Sequence, residues 1–173
     1  VDAHADDVDR EYPQNFVLSQ WGDNRMYNYF VSGESQGYGY ARSNHAQFLA
    51  SSDPDGWYDR FQNRVGYVVI TDRGRAPANT TYTALHDGLG LGVNDTAATG
   101  HYQLLASDGG VRTFAVVPGA RITIPNTAGD QVTATTTITV DTGAGNTTYE
   151  YARSAAVANG TATRVTFVGV ETT

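Results

Sequence analysis

The chain has 173 residues, 40% of them apolar, with 18 acidic side chains against 11 basic ones and a net charge of −7. That length and apolar content suffice for one ordinary domain or two small ones. The acid excess argues against nucleic acid and anionic membranes as partners, and the lack of cysteine excludes a disulfide framework and a thiolate metal site.

In chain order, residues 1–14 are acidic and aperiodic, and read as a solvated lead-in or a short helix. Asn15 to Ser19 reads as a buried strand. It runs into a polar stretch, Trp21-Gly22-Asp23-Asn24-Arg25, read as an exposed turn with Trp21 packed beneath and Asp23 reaching solvent. Met26 to Ser32 is aromatic-rich and compatible with helix or strand, and the glycines at 33, 37 and 39 mark irregular chain. A helix is expected from Ser43, with Ala46, Phe48, Leu49 and Ala50 as its packing side. A second is expected from Asp53-Pro54-Asp55, an Asp N-cap followed by Pro at the first helical position and a second acid in the first turn. Trp57 and Phe61 then share a face, and Arg60 and Arg64 suit the helix end.

Val65 to Thr71 reads as a central strand, which makes the first half a strand–helix–strand unit. The segment 83–88 has room for one helical turn ending at Gly88, and Gly88 to Gly92 reads as a flexible loop. Beyond Gly100 two strands flank an Asp-Gly-Gly turn as a hairpin. From Pro118 onward, Thr/Val/Ile alternation broken by turn clusters reads as strands only. The expected fold class is therefore α+β, a mixed α/β unit over 1–117 followed by an all-β, sandwich-like module over 118–173.

Every basic residue is Arg and most acids are Asp. Hydrated carboxylates without lysine suit a chain from a high-salt organism, and codon bias in a GC-rich genome is the plainer alternative. No apolar run approaches the roughly 20 residues of a membrane span. The start at Val1, with no recognisable leader, reads as a soluble piece excised from something longer.

Among chemical motifs, four Asn-x-Ser/Thr triplets, beginning at Asn79, Asn94, Asn146 and Asn159, are candidate glycosylation acceptors in predicted loops or strand edges. His4, His45, His86 and His101 show no metal-ligand spacing. The Trp21–Arg25 stretch has two readings. One is a ligand turn with an exposed carboxylate at the carboxyl end of a strand. The other is an Asx turn with a packed Trp and a paired Arg.

The runs "VLSQWGDNRMYNYFVSGES", "YGYARSNHAQFL", "WYDRFQNRVGYVVIT" and "ATGHYQLLASDGGVRTFAVVPGARI", followed by Thr-rich strands, resemble in order the soluble C-terminal region of haloarchaeal oligosaccharyltransferases of the AglB type. The resemblance implies an extracytoplasmic domain attached to a many-spanning membrane part, acting in glycan transfer to Asn-x-Ser/Thr sequons. It also implies a divalent metal and a dolichol-linked glycan, both held by the membrane part, so that the isolated chain is catalytically inactive. The family motif W-W-D-Y-G falls on Gln20-Trp21-Gly22-Asp23-Asn24, with one Trp kept and Asp displaced by one. The candidate acceptor-peptide or ligand turn is thus Trp21, Asp23, Asn24 and Arg25. The alternative is a non-catalytic cell-surface domain, structural or glycan-binding, in which Tyr27, Tyr29, Tyr38 and Tyr40 would stack on sugar rings.

Overall fold

The computed structural model describes residues 1–32, 38–92, 97–125, 129–158 and 161–167. The fold is α+β. Its elements are α1 (Asp2–Asp7), β1 (Phe16–Leu18), α2 (Trp21–Ser32), α3 (Tyr38–Ala50), a 3-10 turn (Asp55–Trp57) running into α4 (Tyr58–Phe61), β2 (Val65–Thr71) and a π-helical turn (Thr83–Asp87). Strands follow to the end: β3 (Tyr102–Asp108), β4 (Val111–Val116), β5 (Ala120–Pro125), β6 (Gln131–Thr142), β7 (Gly145–Ala158) and β8 (Thr161–Phe167).

The strands pair in the order β1-β2-β4-β3-β6-β7-β8-β5. The two strands expected in the first half are neighbours and parallel, with Val17 opposite Tyr67 and Leu18 opposite Val68. Parallel neighbours need a long crossover, and α2 to α4 supply it. β4 returns antiparallel on β2, and β3 and β4 form the expected hairpin around Gly109 and Gly110. Both turn glycines have positive φ, 49° and 80°, which suits a two-residue turn that matches strand twist.

β2 is buried on both sides, and its residues alternate between two cores. Val65, Val68 and Ile70 face Phe16, Leu18, Phe48 and Phe114. Tyr67 and Val69 face Ala5, Val17 and Ala115, with Tyr27 and Val31 of α2 packed against them. A strand covered on both faces reads as a continuous apolar run, as "VGYVVIT" does. The lead-in is not merely solvated. Ala5 of α1 is buried, His4 Nδ1 lies 3.0 Å from the Tyr67 hydroxyl, and Arg10 donates to the Gly66 and Val116 carbonyls.

The helices depart from expectation at their starts. α3 begins at Tyr38 rather than Ser43, so Gly39 is helical. Asp53 does accept from the Gly56 N–H at 2.9 Å, as an N-cap should, but the turn it caps is 3-10 before one turn of α4. Trp57 and Phe61 pack at 5.5 Å, and Arg60 lies over the Trp57 ring. The Gly88–Gly92 segment is a packed turn: Leu91 is buried, and Gly90 donates to the Ala84 carbonyl and accepts from the Thr99 N–H.

The ladder is continuous across Pro118. β6 pairs parallel with the end of β3, Ala106 opposite Asp141. β6 and β7 form a long antiparallel hairpin, and β7 hands on to β8 and β5. Tyr151 of β7 is buried against Leu91 and Ala98 and donates to the Thr99 carbonyl, while Arg153 pairs with Asp55 at 2.7 Å.

Candidate functional site

The Trp21–Arg25 stretch is not a turn. The Gln20 carbonyl accepts from the N–H groups of Asp23 and Asn24, and the chain enters α2 at Trp21 itself. A helix sends residues four apart to one face and residues two apart to different faces. The sequence candidates accordingly separate.

Asn24 faces inward and is fully buried. Its Nδ2 donates to the Val17 carbonyl at 2.6 Å. One turn on, Asn28 takes the Val17 N–H on Oδ1 at 2.8 Å and donates from Nδ2 to the same carbonyl at 2.9 Å. β1 is the edge strand of the sheet, and these two amides serve its open edge as a further strand would. Asn24 is therefore a structural residue, unavailable to a ligand.

Asp23 is exposed on another face, one turn from Tyr27, whose hydroxyl pKa is raised by burial and by the Asp23 charge. Trp21 and Arg25 occupy a third face. Trp21 is 53% exposed, against the expectation of a packed indole. Its ring lies 6.5 Å from that of Tyr38, with Arg42 6.0 Å over the indole and Arg25 5.8 Å over the Tyr38 ring.

Beside Trp21 opens a groove of about 450 Å³ lined by Gln20, Trp21, Arg42, His45 and Arg73. It lies outside the carboxyl ends of the parallel strands β1 and β2, where Gln20 and Arg73 follow the last strand residues. Open α/β sheets place ligand sites at such strand ends. Arg73 is held from several sides. Its N–H donates to the Tyr82 hydroxyl at 2.9 Å, and the preceding Asp72 accepts from the Gly74 N–H at 2.7 Å. Tyr82 stacks on His86, whose Nε2 lies 3.0 Å from the Gly110 carbonyl. The Arg73 guanidinium reaches His45 Nδ1 at 3.3 Å.

His45 is buried, and its pKa is lowered to about 4 by burial first and the Arg73 charge second. The ring is thus neutral at pH 7, with Nδ1 accepting from Arg73. Nε2 is buried with no hydrogen-bond partner, and the Val69 backbone, the smallest of the three influences, opposes the lowering. Among the described residues, no carboxylate lies within 4 Å of Arg25, Arg42 or Arg73. Sequence reasoning missed Arg42, His45 and Arg73. The usable signal was Arg73 standing two residues past the strand "VGYVVIT".

The four tyrosines of the glycan-stacking alternative do not form one platform. Tyr27 packs on one core and Tyr40 on the other, under Arg64. Tyr29 is exposed and pairs with Phe30 at 6.1 Å, and Tyr38 pairs with Trp21. Of the sequon asparagines, Asn94 and Asn159 lie outside the described residues. Asn79 is exposed with φ 59°, but Thr81 of its triplet is fully buried, its hydroxyl and N–H both on the Ser51 carbonyl. Asn146 and Thr148 are both exposed at the start of β7. Among the described residues no three His, Asp or Glu side chains gather as a metal site. No helix among them is long and apolar enough to cross a membrane. No protein-family model matches the chain, and no match emerges among curated proteins or solved structures.

Proposed function

We propose that the chain is the extracytoplasmic, non-catalytic domain of an oligosaccharyltransferase-like membrane protein acting in N-glycosylation of Asn-x-Ser/Thr sequons. In this reading the face of α2 carrying Trp21 meets the polar ligand, acceptor peptide or glycan. The supporting observation is the exposure of Trp21 beside Tyr38 and two arginines, at the carboxyl end of β1. A half-exposed indole contributes little to a core, and clustered surface aromatics mark binding faces. The metal and the dolichol-linked glycan belong, on this reading, to the membrane part. Trp21 with Tyr38 from α3 offers an aromatic pair on this face, where the family motif has two adjacent tryptophans. The Asp23 carboxylate stands on a different face of the helix, so this chain alone reads a sequon weakly or not at all.

The test is Trp21→Ala in the full-length protein, read by occupancy of a reporter sequon. Lowered occupancy at unchanged protein level is expected. Unchanged occupancy would overturn the reading.

A further inference from the structure

We infer that the groove between α2 and α3 binds an acidic sugar, a ring carrying a carboxylate or phosphate, with Arg42 and Arg73 on the oxyanion and Trp21 against the ring. The inference rests on the reading of this face as a binding surface and names the ligand class it takes.

Three observations point the same way. First, the chain has an excess of acids, 18 against 11, yet Arg42 and Arg73 line one groove with no carboxylate within 4 Å among the described residues. Two arginines on one groove make that face locally positive in an otherwise acidic molecule. Guanidinium suits an oxyanion ligand, since its planar donors match carboxylate and phosphate oxygens.

Second, Arg73 is placed in advance. Its backbone is tied to Tyr82, and its guanidinium rests on the neutral His45 Nδ1, an acceptor that leaves the charge uncompensated. A carboxylate in that position would have neutralised the site. Third, the indole of Trp21 borders the same groove and is half exposed. An apolar ring face beside charged donors fits a ligand that is itself a ring with one charged substituent.

The probes are glucuronate, glucose 6-phosphate, glucose and inorganic phosphate, each titrated into the 173-residue chain with the Trp21 indole N–H followed by NMR. Saturable shifts with either acidic sugar are expected, glucuronate alone or glucose 6-phosphate alone telling a carboxylate site from a phosphate site. Glucose should be at least about tenfold weaker, and Arg42→Gln or Arg73→Gln should weaken the acidic sugar about tenfold. Glucose binding as tightly as glucuronate, inorganic phosphate binding as tightly as glucose 6-phosphate, unaltered binding in both Arg variants, or no shift with any probe would each overturn the inference. Backbone spectra of the variants check that they fold. If no acidic sugar binds while Trp21→Ala still lowers reporter occupancy in the full-length protein, this inference fails and the proposed function stands.

Discussion

His45 carries a pH dependence whose sign follows from its surroundings. Its folded pKa is about 4 against 6.5 in the open chain, through burial and then the Arg73 charge. A base with a depressed folded pKa contributes its full stability above the unfolded value and loses it as pH falls toward the folded one. The window is therefore pH 6.5 down to about 4, and the effect is on the order of 3 kcal/mol. Melting midpoints of the wild type should fall across this window more steeply than those of His45→Gln. Parallel curves would show that the ring does not titrate as described. Composition did not reveal this residue, because a histidine in "SNHAQFL" looks the same whether it faces water or an arginine from a distant loop. Asp55 is a similar case. It reads as a second acid in a helix start, and it also accepts from the Gly100 N–H and pairs with Arg153 across the fold.

At the scale of elements, β1 and α2 depend on each other. A three-residue edge strand is short, and Asn24 and Asn28 satisfy the open side of Val17. Asn28→Leu removes the acceptor of the Val17 N–H, while Asn24 still serves the carbonyl. Leaving one buried N–H unpaired costs about 1 to 3 kcal/mol. The denaturation midpoint should fall accordingly, and the Val17 amide should lose protection from hydrogen exchange. An unchanged midpoint with full protection would show that the edge needs no such cover. The strands were legible because alternation and continuous apolar runs report burial directly, as in Val65–Thr71 and Gln131–Thr142. The start of α2 was not. Trp-Gly-Asp-Asn is turn chemistry locally, and the helix prevails because Asn24 and Asn28, four apart, both find partners on β1. That pairing is tertiary and leaves no local signal. The aromatic stretch Met26–Ser32 stayed undecided for a related reason. Met26, Tyr29 and Phe30 are exposed on α2, so no apolar period betrays the helix.

For the whole molecule, the charge balance sets the response to salt. With 18 acids against 11 arginines, screening of self-repulsion should raise the melting midpoint from dilute buffer to molar KCl. A flat or falling midpoint would count against the high-salt reading of the composition. Segments on either side of Pro118 are also tied together. β6 and β7 join the sheet through β3, Tyr151 enters a core with Leu91 and Ala98, and Arg153 meets Asp55. These ties between distant segments are where sequence patterning stops being informative, since alternation in β6 shows which side is buried and not what buries it.

The burial of Thr81 sets a clock. A transferase that reads the sequon hydroxyl finds the one at Thr81 bonded to the Ser51 carbonyl and sealed from water. Asn79 is open to modification only while the chain is still unfolded, in the interval before residues 51 and 81 meet. Asn146 and Thr148 keep their side chains on the surface after folding, within the β6–β7 ladder. A glycan on Asn79 would thus date its own attachment to the moments of emergence, and its occupancy relative to Asn146 would measure how fast this chain closes.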